Sequence, residues 1–210
     1  MASQWNAYER KTATYGGSLP IWAELPDFVE SGGLIANTNL TKGEIISGGS
    51  AVYFNTDTKE AKILKIFKVT ATSTQSTNTL ITVSQVGNLH KLNQGDAIMV
   101  LPSTIGGTGK SVATGSLDTS VDGQVTFTAV TANIDSVSVG TYLALSDGVS
   151  ATAHLYCQPN SLTIDDTVVG DQNSVGIARG AKYVYSNTIP WLPAVIAANI
   201  PMLEFHQFNQ

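Results

Sequence analysis

The sequence predicts a mainly β protein: an antiparallel body of sandwich or barrel type, with one short C-terminal helix and an extended N-terminal arm. Three observations carry that expectation. Short β-branched and aromatic runs, such as Ala51-Val-Tyr-Phe-Asn55 and Val125-Thr-Phe-Thr-Ala-Val130, recur between clusters of Gly, Asn, Asp and Ser. Gln124, Thr126 and Thr128 alternate with Val125, Phe127 and Ala129, the in/out period of a strand with one buried face. Charged residues make up only 13% of the chain, against about 25% in ordinary soluble domains, so Ser, Thr, Asn, Gln and Gly supply the polar surface. That composition suits a β-protein partly covered by neighbouring subunits, because a hydroxyl is cheaper to bury than a charge.

Residues 1–33 form the expected arm. Trp5, Tyr8, Tyr15, Trp22 and Phe28 are scattered among Gly and Pro with no sustained period, so this segment needs the body of its own chain or a neighbour to cover it. Trp5, Tyr8, Tyr15 and Trp22 are the candidate subunit-contact residues, since interfaces are enriched in Trp and Tyr. Residues 34–210 form the expected β-rich body. Ala51–Asn55, the turn cluster Thr56–Glu60 and a second strand over Ala61–Thr72 read as a hairpin, with Lys62, Lys65 and Lys68 as solvated side chains. A two-fold pseudo-repeat follows. Leu80–Val83 and Gln94–Val100 are echoed by Val125–Val130 and Val139–Leu145, each a strand, a loop and a glycine-led strand; two copies predict a compact antiparallel unit rather than a solenoid. Near the end, Pro190, Pro193 and Pro201 leave room for one short helix at about 193–199, opening at Pro193, before a final strand.

The motifs that imitate chemistry read as structure. Thr104-Ile-Gly-Gly-Thr-Gly-Lys-Ser111 lacks the first glycine of a phosphate-binding loop, and the glycine-broken segment after Lys110 predicts no helix to receive phosphate. His154 and Cys157 fall on opposite faces of a strand, which predicts a buried thiol and an ordinary histidine. Asp165, Asp166 and Asp171 predict a turn, with a cation as the alternative, because the spacing of a calcium loop is absent. His90, His154 and His206 share no context, so the expectation is no catalytic residue, no resident metal and no cofactor: the chain is not an enzyme. A net charge of −5 argues against nucleic acid as a partner, and a lone cysteine excludes an internal disulfide. The first ten residues lack a secretory leader and no long apolar run occurs, which predicts a chain neither exported nor spanning a membrane.

Several stretches together carry a resemblance. They are Lys59–Lys68 with the Thr-rich strand after it, Leu92-Asn-Gln-Gly-Asp-Ala-Ile98, Pro159-Asn-Ser-Leu-Thr163, and Ile189-Pro190 with Pro193-Ala194 and Ile200-Pro201. In these the chain resembles the head-fibre and auxiliary capsid (decoration) proteins of tailed bacteriophages. The resemblance implies a structural virion protein on the outside of a phage head, assembled in the host cytoplasm, with the major capsid protein as partner and with Trp5, Tyr8, Tyr15 and Trp22 of the arm as candidate contacts to that capsid as well as to a neighbouring subunit. The low charge and the many strand segments predict a homo-oligomer in which sheet edges and the aromatic arm pair across subunits, and a trimer is expected on a lattice with three-fold positions. The chain stops at Gln210 with no long shaft, which points to a short capsid-bound protein rather than a projecting fibre. Other virion or host-surface components are further candidate partners. The alternative is a carbohydrate-binding or host-adhesion β module, whose signature is exposed Trp or Tyr beside Asn or Asp on loop tips.

Overall fold

The computed structural model describes residues 9–11, 18–22, 27–29, 32–86, 89–170, 174–180, 184–201 and 203–206. The chain is mainly β, with curled sheets and one short helix. It divides into two compact units, Met1–Ile63 with Pro159–Gln210, and Leu64–Gln158. The division falls inside the stretch 34–210 that the sequence groups as one body. Most of the arm lies outside the described residues. No helix among those residues is long and apolar enough to cross a membrane.

The first unit begins with β1 (Glu9–Lys11), β2 (Ser18–Pro20), β3 (Asp27–Phe28), β4 (Gly33–Ile35), β5 (Ile45–Ile46), β6 (Ala51–Phe54) and β7 (Glu60–Ile63). The expected hairpin is β6 and β7, antiparallel with Val52 opposite Ile63 and Phe54 opposite Ala61. Asn55 forms its turn, its side-chain oxygen accepting the N–H of Asp57 at 2.9 Å. The single strand expected over Ala61–Thr72 is in fact two, broken at Leu64-Lys65, where the chain passes from one unit to the other.

The second unit contains β8 (Ile66–Gln75), β9 (Asn78–Ser84), β10 (Ala97–Val100), β11 (Ser111–Ala113), β12 (Gln124–Val130), a 3-10 turn (Thr131–Asn133) and β13 (Tyr142–Leu145). They make one antiparallel sheet in the order β11-β10-β13-β8-β9-β12. A register shift between Val69 and Ala71 bends β8, so its first residues pair with β13 and the rest with β9. Ile81, Val83, Phe127, Ile98 and Leu143 are buried. The predicted pseudo-repeat is present as topology: β9 pairs with β12 and β10 with β13, the strand ahead of the first copy, β8, pairs with β9 of its own copy and β13 of the other, and the strand ahead of the second, β11, pairs with β10 of the other. The final pair by that symmetry, β11 on β12, is incomplete.

Both repeats enter their glycine-led strand through one turn. In Asn93-Gln-Gly-Asp96 the Asp96 N–H donates to the Asn93 carbonyl at 3.2 Å, while the Asp96 side chain accepts the Asn93 N–H at 2.9 Å. Ser138-Val-Gly-Thr141 repeats this with Thr141 as both donor and acceptor, at 3.0 and 3.1 Å. A third copy, absent from the sequence reading, is Thr41-Lys-Gly-Glu44 ahead of β5, where the Glu44 carboxylate takes the Thr41 N–H at 3.0 Å. Gly95 and Gly140 both sit at φ +89°. A Cβ at Gly95 would have no neighbour within 4 Å, so Gly95→Ala carries the backbone cost alone. The expected loss is about 1–2 kcal/mol in urea unfolding, and less for Gly95→Asn, which tolerates this region better.

The chain returns to the first unit with β14 (Ser161–Thr163), β15 (Thr167–Val168), β16 (Ser174–Val175), β17 (Ile177–Gly180), β18 (Val184–Tyr185), α1 (Ala194–Ala197) and β19 (Phe205–His206). A seven-stranded sheet runs β16-β4-β7-β6-β14-β17-β3, with β4 and β7 its one parallel pair. Its core gathers Ile46, Val52, Phe54, Ile63, Val169 and Ile177. The Pro-Asn-Ser-Leu-Thr stretch has a physical role here. Asn160 bonds both backbone groups of Phe54, at 2.9 and 3.1 Å, and Thr163 Oγ1 accepts the Ser50 N–H while donating to the Ser47 carbonyl, both at 2.9 Å. Together they fasten β14 to β6 at each end. Helix α1 starts one residue after Pro193, which stands at its cap, and it is shorter than the expected 193–199. Asn199 and Ile200 bond three residues back, a tightened final turn ahead of Pro201. The expected final strand is β19, parallel to β18.

Candidate functional site

In the second unit the six-stranded sheet curls until its end strands approach each other. Just past β11, Asp118 and Thr126 exchange backbone bonds of 2.8 and 2.9 Å and close the wall. Beyond that bridge β11 and β12 separate, leaving a groove of about 470 Å³. Val112, Ala113, Ala129, Val130, Val149 and Ala151 make it largely apolar, with Lys110, Thr128 and Asn133 at its polar margin. One wall is braced by Ser111, whose hydroxyl accepts the Ser150 N–H at 2.9 Å while its own N–H bonds the Ser150 carbonyl at 2.9 Å. Because Thr126 turns its backbone groups away from β9, the alternation of an antiparallel strand turns those of Thr128 the same way, into the groove.

Lys110 reaches this groove without a phosphate cradle. Its N–H is given to the Asp135 carboxylate at 2.9 Å, its ammonium bonds the Ala132 carbonyl at 3.0 Å, and the residues after it are strand β11. A phosphate loop needs free amides at the start of a helix, and this segment has neither at Lys110. His154 is exposed, in a loop between two isolated bridges, whereas Cys157 is buried. His90 is buried and its Nδ1 accepts the Ile66 N–H at 3.1 Å. Among the described residues no three His, Cys, Asp or Glu side chains gather as a metal site.

The paired acids lie in a bend between β14 and β15 rather than in a hydrogen-bonded turn. Asp166 accepts the Gly48 N–H at 2.8 Å. Burial raises the Asp165 carboxyl above its ordinary value, and the neighbouring Asp166 charge pushes the same way, against a backbone bond that lowers it. Asp171 lies outside the described residues.

Two expectations need correction. Lys65 is not solvated: it is fully buried, its ammonium bonded to the Lys91 carbonyl at 3.0 Å and 3.9 Å from Asp96, and burying this cation requires such partners. Lys68 is half-buried with its ammonium 5.8 Å from the centre of the Tyr142 ring. Trp22, expected at a subunit contact, is 6% exposed and donates its indole N–H to the Ile164 carbonyl at 3.0 Å, so its own unit covers it. Trp5, Tyr8 and Tyr15 lie outside the described residues.

A surface that the sequence reading missed lies on the two-stranded ribbon of β5 and β15. Strand alternation sends Ile46 and Val169 into the core and turns Ile45 and Val168 outward, directly opposite each other, 56% and 64% exposed. The available signal was the doublets Ile45-Ile46 and Val168-Val169, since a doublet in a strand with one buried face must leave one member in water.

No protein-family model, curated protein or solved structure matches the chain.

Proposed function

We propose that the chain is a structural protein that acts by docking, a head-fibre or decoration protein bound to the outside of a phage capsid as a homo-oligomer and without catalysis. The observation that carries this reading is the Ile45–Val168 pair. An apolar cross-strand pair on an outward face, each side chain little more than half exposed, forgoes burial of roughly 1–2 kcal/mol per side chain, which a docked partner would recover. The low charge and the capsid-protein resemblance support the same reading. The major capsid protein is the partner for this face, on particles assembled in the host cytoplasm. A glycan-binding module would instead present aromatic rings, and none of the described Trp or Tyr residues is exposed.

The test mixes the purified chain with phage heads assembled without it and measures co-sedimentation. The chain is expected to bind, and Ile45→Lys/Val168→Lys to weaken binding at least tenfold with an unchanged circular dichroism spectrum. Heads that take up neither protein, or both equally, refute the reading.

A further inference from the structure

We propose that the open seam between β11 and β12 accepts an extended strand from a second copy of this chain, supplied by its residues 1–8. This deepens the homo-oligomer reading above and rests on it. The seam is where the two-fold pairing pattern of the second unit fails. In the first repeat β8 pairs with β9 over its whole outer half, from Val69 opposite Val83 to Gln75 opposite Asn78. In the second, the matching contact is reduced to the single bridge at Asp118 and Thr126.

Beyond that bridge no backbone hydrogen bond joins β11 to β12 among the described residues. The N–H and C=O of Thr128 and the N–H of Val130 face the gap from one side. From the other side come the N–H and C=O of Ala113, because Ser111 in the same phase bonds outward to Ser150. Main-chain donors and acceptors along two facing strand edges are the recognition chemistry of another strand, and a closed barrel leaves none unpaired.

Beside its valines the gap is lined by the small residues Ala113, Gly115, Ala129 and Ala151. An incoming strand therefore fits if its inward residue is large. Residues 1–8, Met-Ala-Ser-Gln-Trp-Asn-Ala-Tyr, are the longest stretch outside the described structure and hold such a residue, Trp5. At about 3.3 Å per residue they reach roughly 26 Å, longer than the open part of β12 from Thr128 to Val130. Trp5 inward places Gln4 and Asn6 outward, on the face of Thr128.

The experiment uses the full chain with Cys157→Ala as background, carrying Thr128→Cys together with Gln4→Cys or Asn6→Cys. Mild oxidation is followed by non-reducing electrophoresis and intact mass. Covalent multimers are expected from at least one pair, and none when Asp57→Cys at the hairpin tip replaces Thr128→Cys. Adding Val149→Asp at the exposed groove mouth should abolish the cross-link and shift light scattering toward 22.1 kDa. No cross-link, or one confined within single chains, overturns the proposal. Heads decorated by a chain that gives no cross-link would keep the capsid reading and remove this one; cross-linked multimers that bind no head would do the reverse.

Discussion

Replacing Lys65 by alanine is expected to destabilise the protein by about 3–5 kcal/mol, which is a large share of the roughly 5–15 kcal/mol that holds a domain folded. The side chains of Lys65 and Asp96 are 1% and 3% exposed, with 3.9 Å between ammonium and carboxylate. Their burial is tolerable because each has further support. Lys65 donates to the Lys91 carbonyl at 3.0 Å, and Asp96 accepts the Asn93 N–H at 2.9 Å within its turn. Removing the ammonium strands the Asp96 charge in the core and leaves the Lys91 carbonyl without that donor. Lys65→Met keeps most of the packing and loses the same charge, so it should cost nearly as much. Combining it with Asp96→Asn removes both charges and should recover part of the loss, which identifies the uncompensated carboxylate as the source of the cost. Lys91→Ala, at an exposed side chain, should stay within about 0.5 kcal/mol. Urea unfolding measures all four; a Lys65→Ala cost below about 1 kcal/mol would mean that water reaches the pair.

That lysine also shows where sequence reading stops. Ala61-Lys-Ile-Leu-Lys-Ile-Phe-Lys68 presents three lysines at equal spacing in similar company, yet Lys62 and Lys68 are half-buried and Lys65 fully buried. What separates them is the passage between units at Leu64-Lys65 and an acid far along the chain, and neither leaves a local pattern. Features set by neighbouring residues were legible. The alternation of β12 buries Val125, Phe127 and Ala129 as read, and the spacing of the prolines placed α1 to within a few residues. The pseudo-repeat was legible because its turn is local, needing a glycine at positive φ followed by a side chain that can reach back to an N–H. The seam was not. Thr114 bonds Asp96 on the β10 side, and Gly115 carries the chain on from there, so whether β11 zips to β12 is decided by contacts distant in sequence. The outward Ile45–Val168 pair needed knowledge that β5 and β15 are partners.

Trp22→Ala is expected to cost about 3–5 kcal/mol of folding stability, the range for removing a large buried aromatic side chain. The segment Ile21-Trp22 is held at several points. Ile21 is 1% exposed, its carbonyl accepts the Tyr185 N–H at 3.0 Å, and Trp22 forms a bridge with Val184 while its indole reaches Ile164. Trp22→Phe keeps much of the apolar contact but deprives the Ile164 carbonyl of its donor, a loss of about 1–3 kcal/mol if water cannot enter. These changes should appear in the unfolding midpoint at every protein concentration, because the interactions lie within one chain. Trp5 provides the contrast. If its place is the seam of another copy, Trp5→Ala leaves the unfolding of dilute protein unchanged and lowers the mass seen by light scattering as concentration falls. Measured side by side, the two tryptophans separate the part of the aromatic arm that completes its own fold from the part that joins subunits. A Trp22→Ala protein with a wild-type midpoint would return Trp22 to the contact surface.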